Sequence, residues 1–65
     1  MKVYKGQTAK EKCMHILDNY ENNLTEKCLG LWLDSDLYIA FDNRSRDCWV
    51  EEFQTLKEAL AYIAN

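Results

Sequence analysis

The sequence predicts an α+β domain: a three-stranded antiparallel meander packed by two helices, in the order (β)-α-β-β-β-α. Three observations carry this. Two Thr-x-x-Glu quartets, Thr8-Ala9-Lys10-Glu11 and Thr55-Leu56-Lys57-Glu58, read as helix starts. Between them, Leu29, Leu31 and Leu33, then Leu37, Ile39 and Phe41, then Cys48 and Val50 recur with the period of two expected of strands. The links between these runs are short, which favours antiparallel neighbours.

In order along the chain, Lys2-Val3-Tyr4 alternates over too short a stretch to stand alone and is a candidate fourth strand at a sheet edge. The first helix is predicted over residues 9–22. Cys13, Ile16, Leu17, Tyr20 and Leu24 form one apolar stripe, with His15 and Asp18 off it and Asn22-Asn23 fraying the end. The second helix is predicted over residues 56–64, with Leu56, Ala59, Leu60 and Ile63 on its apolar side.

The register follows from placing the apolar side chains together. A loop of Asp34-Ser35-Asp36 pairs Leu33 with Leu37, Leu31 with Ile39 and Leu29 with Phe41. A second loop over residues 43–46 pairs Phe41 with Cys48 and Ile39 with Val50. Both loop lengths are common in hairpins, and together they collect the leucines, Ile39, Phe41, Cys48 and Val50 on one face. The other face then carries Trp32, Tyr38, Ala40, Trp49 and Glu51, with Cys28 and Gly30 at one edge. Two covers fit this sheet. Both helices lie on the leucine face, the preferred arrangement, or one of them lies over the tryptophans.

At 65 residues the chain is expected to form a single domain over 1–65. Its composition is 48% hydrophobic with no proline and two glycines, which suits a small core rather than a disordered chain. Such a chain buries only about 60% of its unfolded surface, so a partner would stabilise it. No apolar run approaches the ~20 residues that cross a bilayer, and "MKVYKG" is not followed by the apolar stretch of a signal peptide. A cytoplasmic location with no membrane contact is therefore expected. Three irregularly spaced cysteines agree, because an odd count is no disulfide framework. The net charge of −3 lacks the basic stripe of a duplex binder, so nucleic acid is disfavoured as a partner.

No catalytic constellation emerges. Cys13, His15, Cys28 and Cys48 are zinc-type residues, but Cys13 and His15 point to different sides of a helix. In the register above, Cys28 and Cys48 take opposite faces. Packing is the simpler role for Cys13 and Cys48, and no metal or other cofactor is expected. His15, the one histidine, faces solvent and serves no nucleophile. Glu51 and Glu52 are adjacent in a strand and so diverge. Asp34-Ser35-Asp36 lacks the glycine and terminal glutamate of a calcium loop. The chain is expected to be no enzyme.

Two surfaces remain. Arg44 and Arg46, the only arginines, sit on the second hairpin tip between Asp42 and Asp47. They either offset the repulsion of those acids, the favoured role, or meet a phosphate or carboxylate. Trp32, Tyr38 and Trp49, with Glu51, form the second candidate, since exposed tryptophan and tyrosine are typical of interfaces. Either a helix buries this face, or a foreign protein or a second copy of the chain does.

The run Tyr38-Ile39-Ala40-Phe41-Asp42-Asn43-Arg44, then Asp47-Cys48-Trp49-Val50-Glu51-Glu52-Phe53, then Glu58-Ala59-Leu60, resembles small uncharacterised proteins encoded on conjugative transposons and prophages of Gram-positive bacteria. The resemblance covers about half the chain and implies a mobile-element accessory protein, with no functional residue carried over. The expected function is thus a non-enzymatic protein-interaction module. The alternatives are a regulator touching nucleic acid through Arg44 and Arg46, or an inhibitor of a host defence protein.

Overall fold

The computed structural model describes residues 1–22 and 25–64. Its elements run β1 (Lys2–Lys5), α1 (Gln7–Asp18), a 3-10 turn (Tyr20–Asn22), β2 (Cys28–Asp34), β3 (Leu37–Asp42), β4 (Trp49–Phe53) and α2 (Leu56–Ala64). Leu24 and Asn23, assigned above to the first helix and its frayed end, lie outside the described residues.

The α+β class and the element order agree with the sequence, and β2, β3 and β4 form the antiparallel meander. The sheet is nevertheless four-stranded and mixed. Lys2–Lys5 is a full strand that pairs parallel to β2, Lys2 beside Cys28 and Lys5 beside Leu31, giving the order β1-β2-β3-β4. Parallel neighbours need a crossover, and α1 supplies it.

The helix starts behave differently. At α2 the threonine half of the capping quartet forms as read, while the glutamate takes the Thr55 hydroxyl rather than the cap amide expected for it. The Thr55 hydroxyl accepts from the Glu58 amide at 3.2 Å and donates to the Glu58 carboxylate at 2.9 Å. At α1 it does not form. The helix begins at Gln7, capped by Gly6 without a side-chain bond, and Thr8 falls inside the first turn. Tertiary pairing decides this. The Gly6 amide donates to the Leu31 carbonyl at the end of the β1–β2 ladder, and its positive φ of 66° reverses the chain at once. At the other end Asn19 closes α1, its side-chain amide donating to the His15 carbonyl at 2.8 Å. Of the predicted stripe, Cys13 and Ile16 are inside, whereas Leu17 and Tyr20 are about half exposed; Ala9, outside that stripe, is buried with them.

The first hairpin overturns the predicted register. The turn is Ser35-Asp36, with Ser35 at φ 56° as a two-residue hairpin requires at its first central position. Asp34 therefore pairs with Leu37, Leu31 with Ala40, and Gly30 with Phe41. One residue of slip sends every side chain of β2 to the other face relative to β3. Leu29, Leu31 and Leu33 now share a face with Tyr38 and Ala40, and Cys28, Gly30 and Trp32 share the opposite face with Ile39 and Phe41. Gly30 explains the choice. A Cβ built on it would overlap the Phe41 ring, with Cζ at 2.9 Å, so the glycine is the seat of the largest fully buried side chain.

The two apolar faces each take one helix, so the expectation that both helices cover the leucine face is also overturned. Under α1 lie Cys28, Phe41 and Cys48, packed with Ala9, Cys13 and Ile16 and edged by Tyr4 and Trp32. Under α2 lie Leu29, Leu31 and Ala40, packed with Ala59 and Ile63 and edged by Tyr38, Phe53 and Tyr62. The second hairpin keeps its predicted parity but is two residues longer: Phe41 pairs with Val50 and Asp42 with Trp49.

Candidate interaction surface

The longer connection, residues 43–48, is organised by Asn43, which is fully buried. Its amide donates to the Cys28 carbonyl at 2.8 Å, its side-chain Nδ2 to the Glu26 carbonyl at 2.6 Å, and its Oδ1 accepts from the Cys48 amide at 3.1 Å. One side chain thus ties the approach to β2 to the hairpin. It also turns Cys48 back into the core under α1, with Arg46 and Cys48 both at positive φ. Sequence reasoning missed Asn43, because nothing in a polar loop composition marks one member as buried.

Of the two arginines, Arg44 engages a hairpin acid, whereas Arg46 reaches out of the hairpin. Arg44 grips Asp42 with Nη2 at 2.7 Å and Nε at 3.1 Å from its carboxylate oxygens, and its amide adds a bond at 2.9 Å. These bonds hold the Asp42 carboxyl below its usual range against the opposing effect of burial. Arg46 donates from Nε to the Thr25 carbonyl at 3.2 Å. The Ser45 hydroxyl donates to the Asp47 carboxylate at 2.9 Å.

The three cysteines converge, contrary to the opposite faces assigned to Cys28 and Cys48. The reason is the slip of β2, which carries Cys28 onto the face of Phe41, where Cys48 also packs. All are free thiols in the α1 core. Burial pushes Cys13 up to about 12, with Cys48 and Cys28 adding to it, and pushes Cys28 up to about 11. Burial likewise raises Cys48. Such protonated thiols are poor nucleophiles. Among the described residues, no group of three or more His, Cys, Asp or Glu side chains is placed to hold a metal ion.

A separate polar group closes the α1 side. Tyr4 donates to Glu26 at 2.5 Å, Lys12 lies 3.7 Å from the same carboxylate, and Lys2 and Lys12 both sit 5.1 Å from the Tyr4 ring centre. The bond to Glu26 raises the Tyr4 hydroxyl and lowers the Glu26 carboxyl. This group joins β1, α1 and the approach to β2, and reads as a fastening.

The aromatic cluster expected on one face is divided by the register. Trp32 lies on the α1 face, tilted against Phe41 at 6.4 Å, with its Nε1 buried and, among the described residues, without a hydrogen-bond partner. Tyr38 lies on the α2 face, half buried beneath the helix and paired with Phe53. Trp49 and Glu51 share that face but sit on β4, where Trp49 is 62% exposed. Between them in sequence Val50 is 40% exposed and projects to the α1 face, as does Glu52. Among the described residues β4 is an outer strand, paired with β3 alone. Its exposed side chains and its free edge are therefore one continuous surface, anchored at the far end where Phe53 stacks on Tyr62 at 5.4 Å.

No protein-family model, curated protein or solved structure matches the chain. Among the described residues, no helix is long and apolar enough to cross a membrane.

Proposed function

We propose that the protein is a non-enzymatic interaction module of the cytoplasm, a mobile-element accessory protein that recognises a protein partner through β4. The observation that carries this reading is Trp49. A tryptophan 62% exposed on an unpaired edge strand gains little from the fold and much from a partner that desolvates it. Glu51 stands two residues along on the same face and adds charge to the contact. Trp32 and Tyr38 act instead as half-buried supports of the two core faces. Binding of nucleic acid by the hairpin tip has less support, because Arg44 is held by Asp42 and Arg46 by the Thr25 carbonyl.

Affinity capture from a bacterial lysate with wild type and Trp49→Ala in parallel tests the reading. A protein retained by the wild type and lost by a variant of unchanged melting temperature is the expected result. Retention of the same proteins by both contradicts it.

A further inference from the structure

Among the described residues, the outer edge of β4 has no neighbouring strand, so its backbone N–H and C=O groups at alternate residues face away from the sheet. A row of such groups at ladder spacing is satisfied by another extended chain. The side chains specify what that chain carries. Glu51 and Glu52 occupy consecutive positions, so one carboxylate projects from each face of the sheet. Both are exposed, and neither forms an ion pair among the described residues. Trp49 and Val50, 62% and 40% exposed, extend the strand on one side of this acidic pair, and half-buried Phe53 ends it on the other.

Resting on the reading of β4 as the binding strand, we propose that the partner is an extended protein segment with two consecutive basic residues flanked by apolar ones. It adds to β4 as a fifth strand. Residues directly opposite in neighbouring strands bring their side chains within contact, so each basic residue meets one glutamate. The apolar flanks cover Trp49 and Val50.

A second copy of the chain does not meet this description. Two β4 strands paired antiparallel about a two-fold axis at Glu51 or at Glu52 set that carboxylate against its own copy. At the other sheet edge, Lys2 and Lys5 are three apart, so no register sets both opposite Glu51 and Glu52. Nowhere in the sequence are two basic residues adjacent. The acidic edge thus resists self-association while remaining open to a strand of opposite charge.

The test uses a fluorescein-labelled heptapeptide, Thr-Val-Lys-Arg-Val-Val-Thr, titrated with the protein and followed by anisotropy. Three comparison peptides are used: one with Glu-Glu in place of Lys-Arg, and two with N-methyl groups on alternate amides, one in each frame. The basic peptide is expected to bind the wild type and to bind Glu51→Lys/Glu52→Lys about tenfold more weakly. The acidic peptide should show the reverse preference. N-methylation in one frame should abolish binding, since it removes the donors facing β4. Absence of binding, equal binding of basic and acidic peptides, or indifference to N-methylation in both frames overturns the proposal. Both substituted positions are exposed, and a melting curve confirms that the variant is folded. If these peptide results fail while Trp49→Ala still loses its captured protein, the partner class is wrong and the β4 reading stands. If Trp49→Ala loses nothing, the β4 reading itself falls.

Discussion

Gly30→Ala gives opposite signs for the two registers of the first hairpin. In the observed pairing Gly30 lies against Phe41, and an added Cβ would stand 2.9 Å from the ring Cζ and 3.1 Å from Cδ1. Phe41 is fully buried between the sheet and α1, so its ring has no space to retreat. Overpacking of this kind costs about 1–3 kcal/mol. Alanine recovers about 0.5–1 kcal/mol over glycine within a strand. The net expectation is a loss of about 0–2.5 kcal/mol, centred near 1, against the roughly 3–10 kcal/mol that stabilises a domain of this length. In the register that collects all apolar residues on one face, Gly30 points away from Phe41 and the same change would stabilise. Urea unfolding followed by circular dichroism gives the sign. A double variant with Phe41→Leu sharpens it, because shortening the ring makes room for the methyl. The two changes should then be coupled favourably by about 1 kcal/mol. A Gly30→Ala protein at least as stable as wild type, with additive effects in the double variant, would refute the packing argument.

Asn43→Ala removes the acceptor of the Cys48 amide and the donor to the Glu26 carbonyl, and should cost about 2–4 kcal/mol in the same urea assay; a loss below about 0.5 kcal/mol would show that the loop does not depend on it. The buried thiols predict a fall in stability at alkaline pH. Cys13 and Cys28 keep their protons in the fold up to about 12 and about 11, whereas the unfolded thiols lose theirs near 9.0. Their contribution is full below pH 9 and is lost as pH rises from there through the folded values. Urea midpoints measured across that range should decline, and decline less steeply in Cys13→Ala; an identical slope in the variant would count against the burial of that thiol. Acrylamide should quench Trp49 in a Trp32→Phe protein far more than Trp32 in a Trp49→Phe protein, since only Trp49 is mainly exposed. Equal quenching would place both rings in the same environment.

What the sequence disclosed was local. Thr55 and Glu58 form their cap within one turn, so α2 was legible at its first residue. The alternation of β2, β3 and β4 was legible for the same reason. What it concealed was pairing between distant segments. Loops of two and three residues between Leu33 and Leu37 both preserve alternation, and the choice depends on how many faces need a cover. With one helix on each face, splitting the apolar residues is the better solution, and Gly30 opposite Phe41 is its signature. Gly6 displaced the Thr8 cap because its amide was needed at the end of the β1–β2 ladder. The candidate surface suffered from the same slip. Trp49 and Glu51 were rightly placed on one face, but Trp32 left them when β2 turned over. Cys28 joined Cys48 and Cys13 for the same reason, because the turned-over β2 carries it to the face of Phe41.

The free edge of β4 is the centre of the functional account, and amide hydrogen exchange observes it directly. In the protein alone, the amides of Trp49–Phe53 that face away from β3 should exchange fast, while those bonded to β3 are protected. Adding the Lys-Arg heptapeptide should slow the outward amides of β4 and leave those of β1 unchanged. Outward β4 amides that are already protected in the free protein, or protection that appears only in β1 or α1 on adding peptide, would contradict the account.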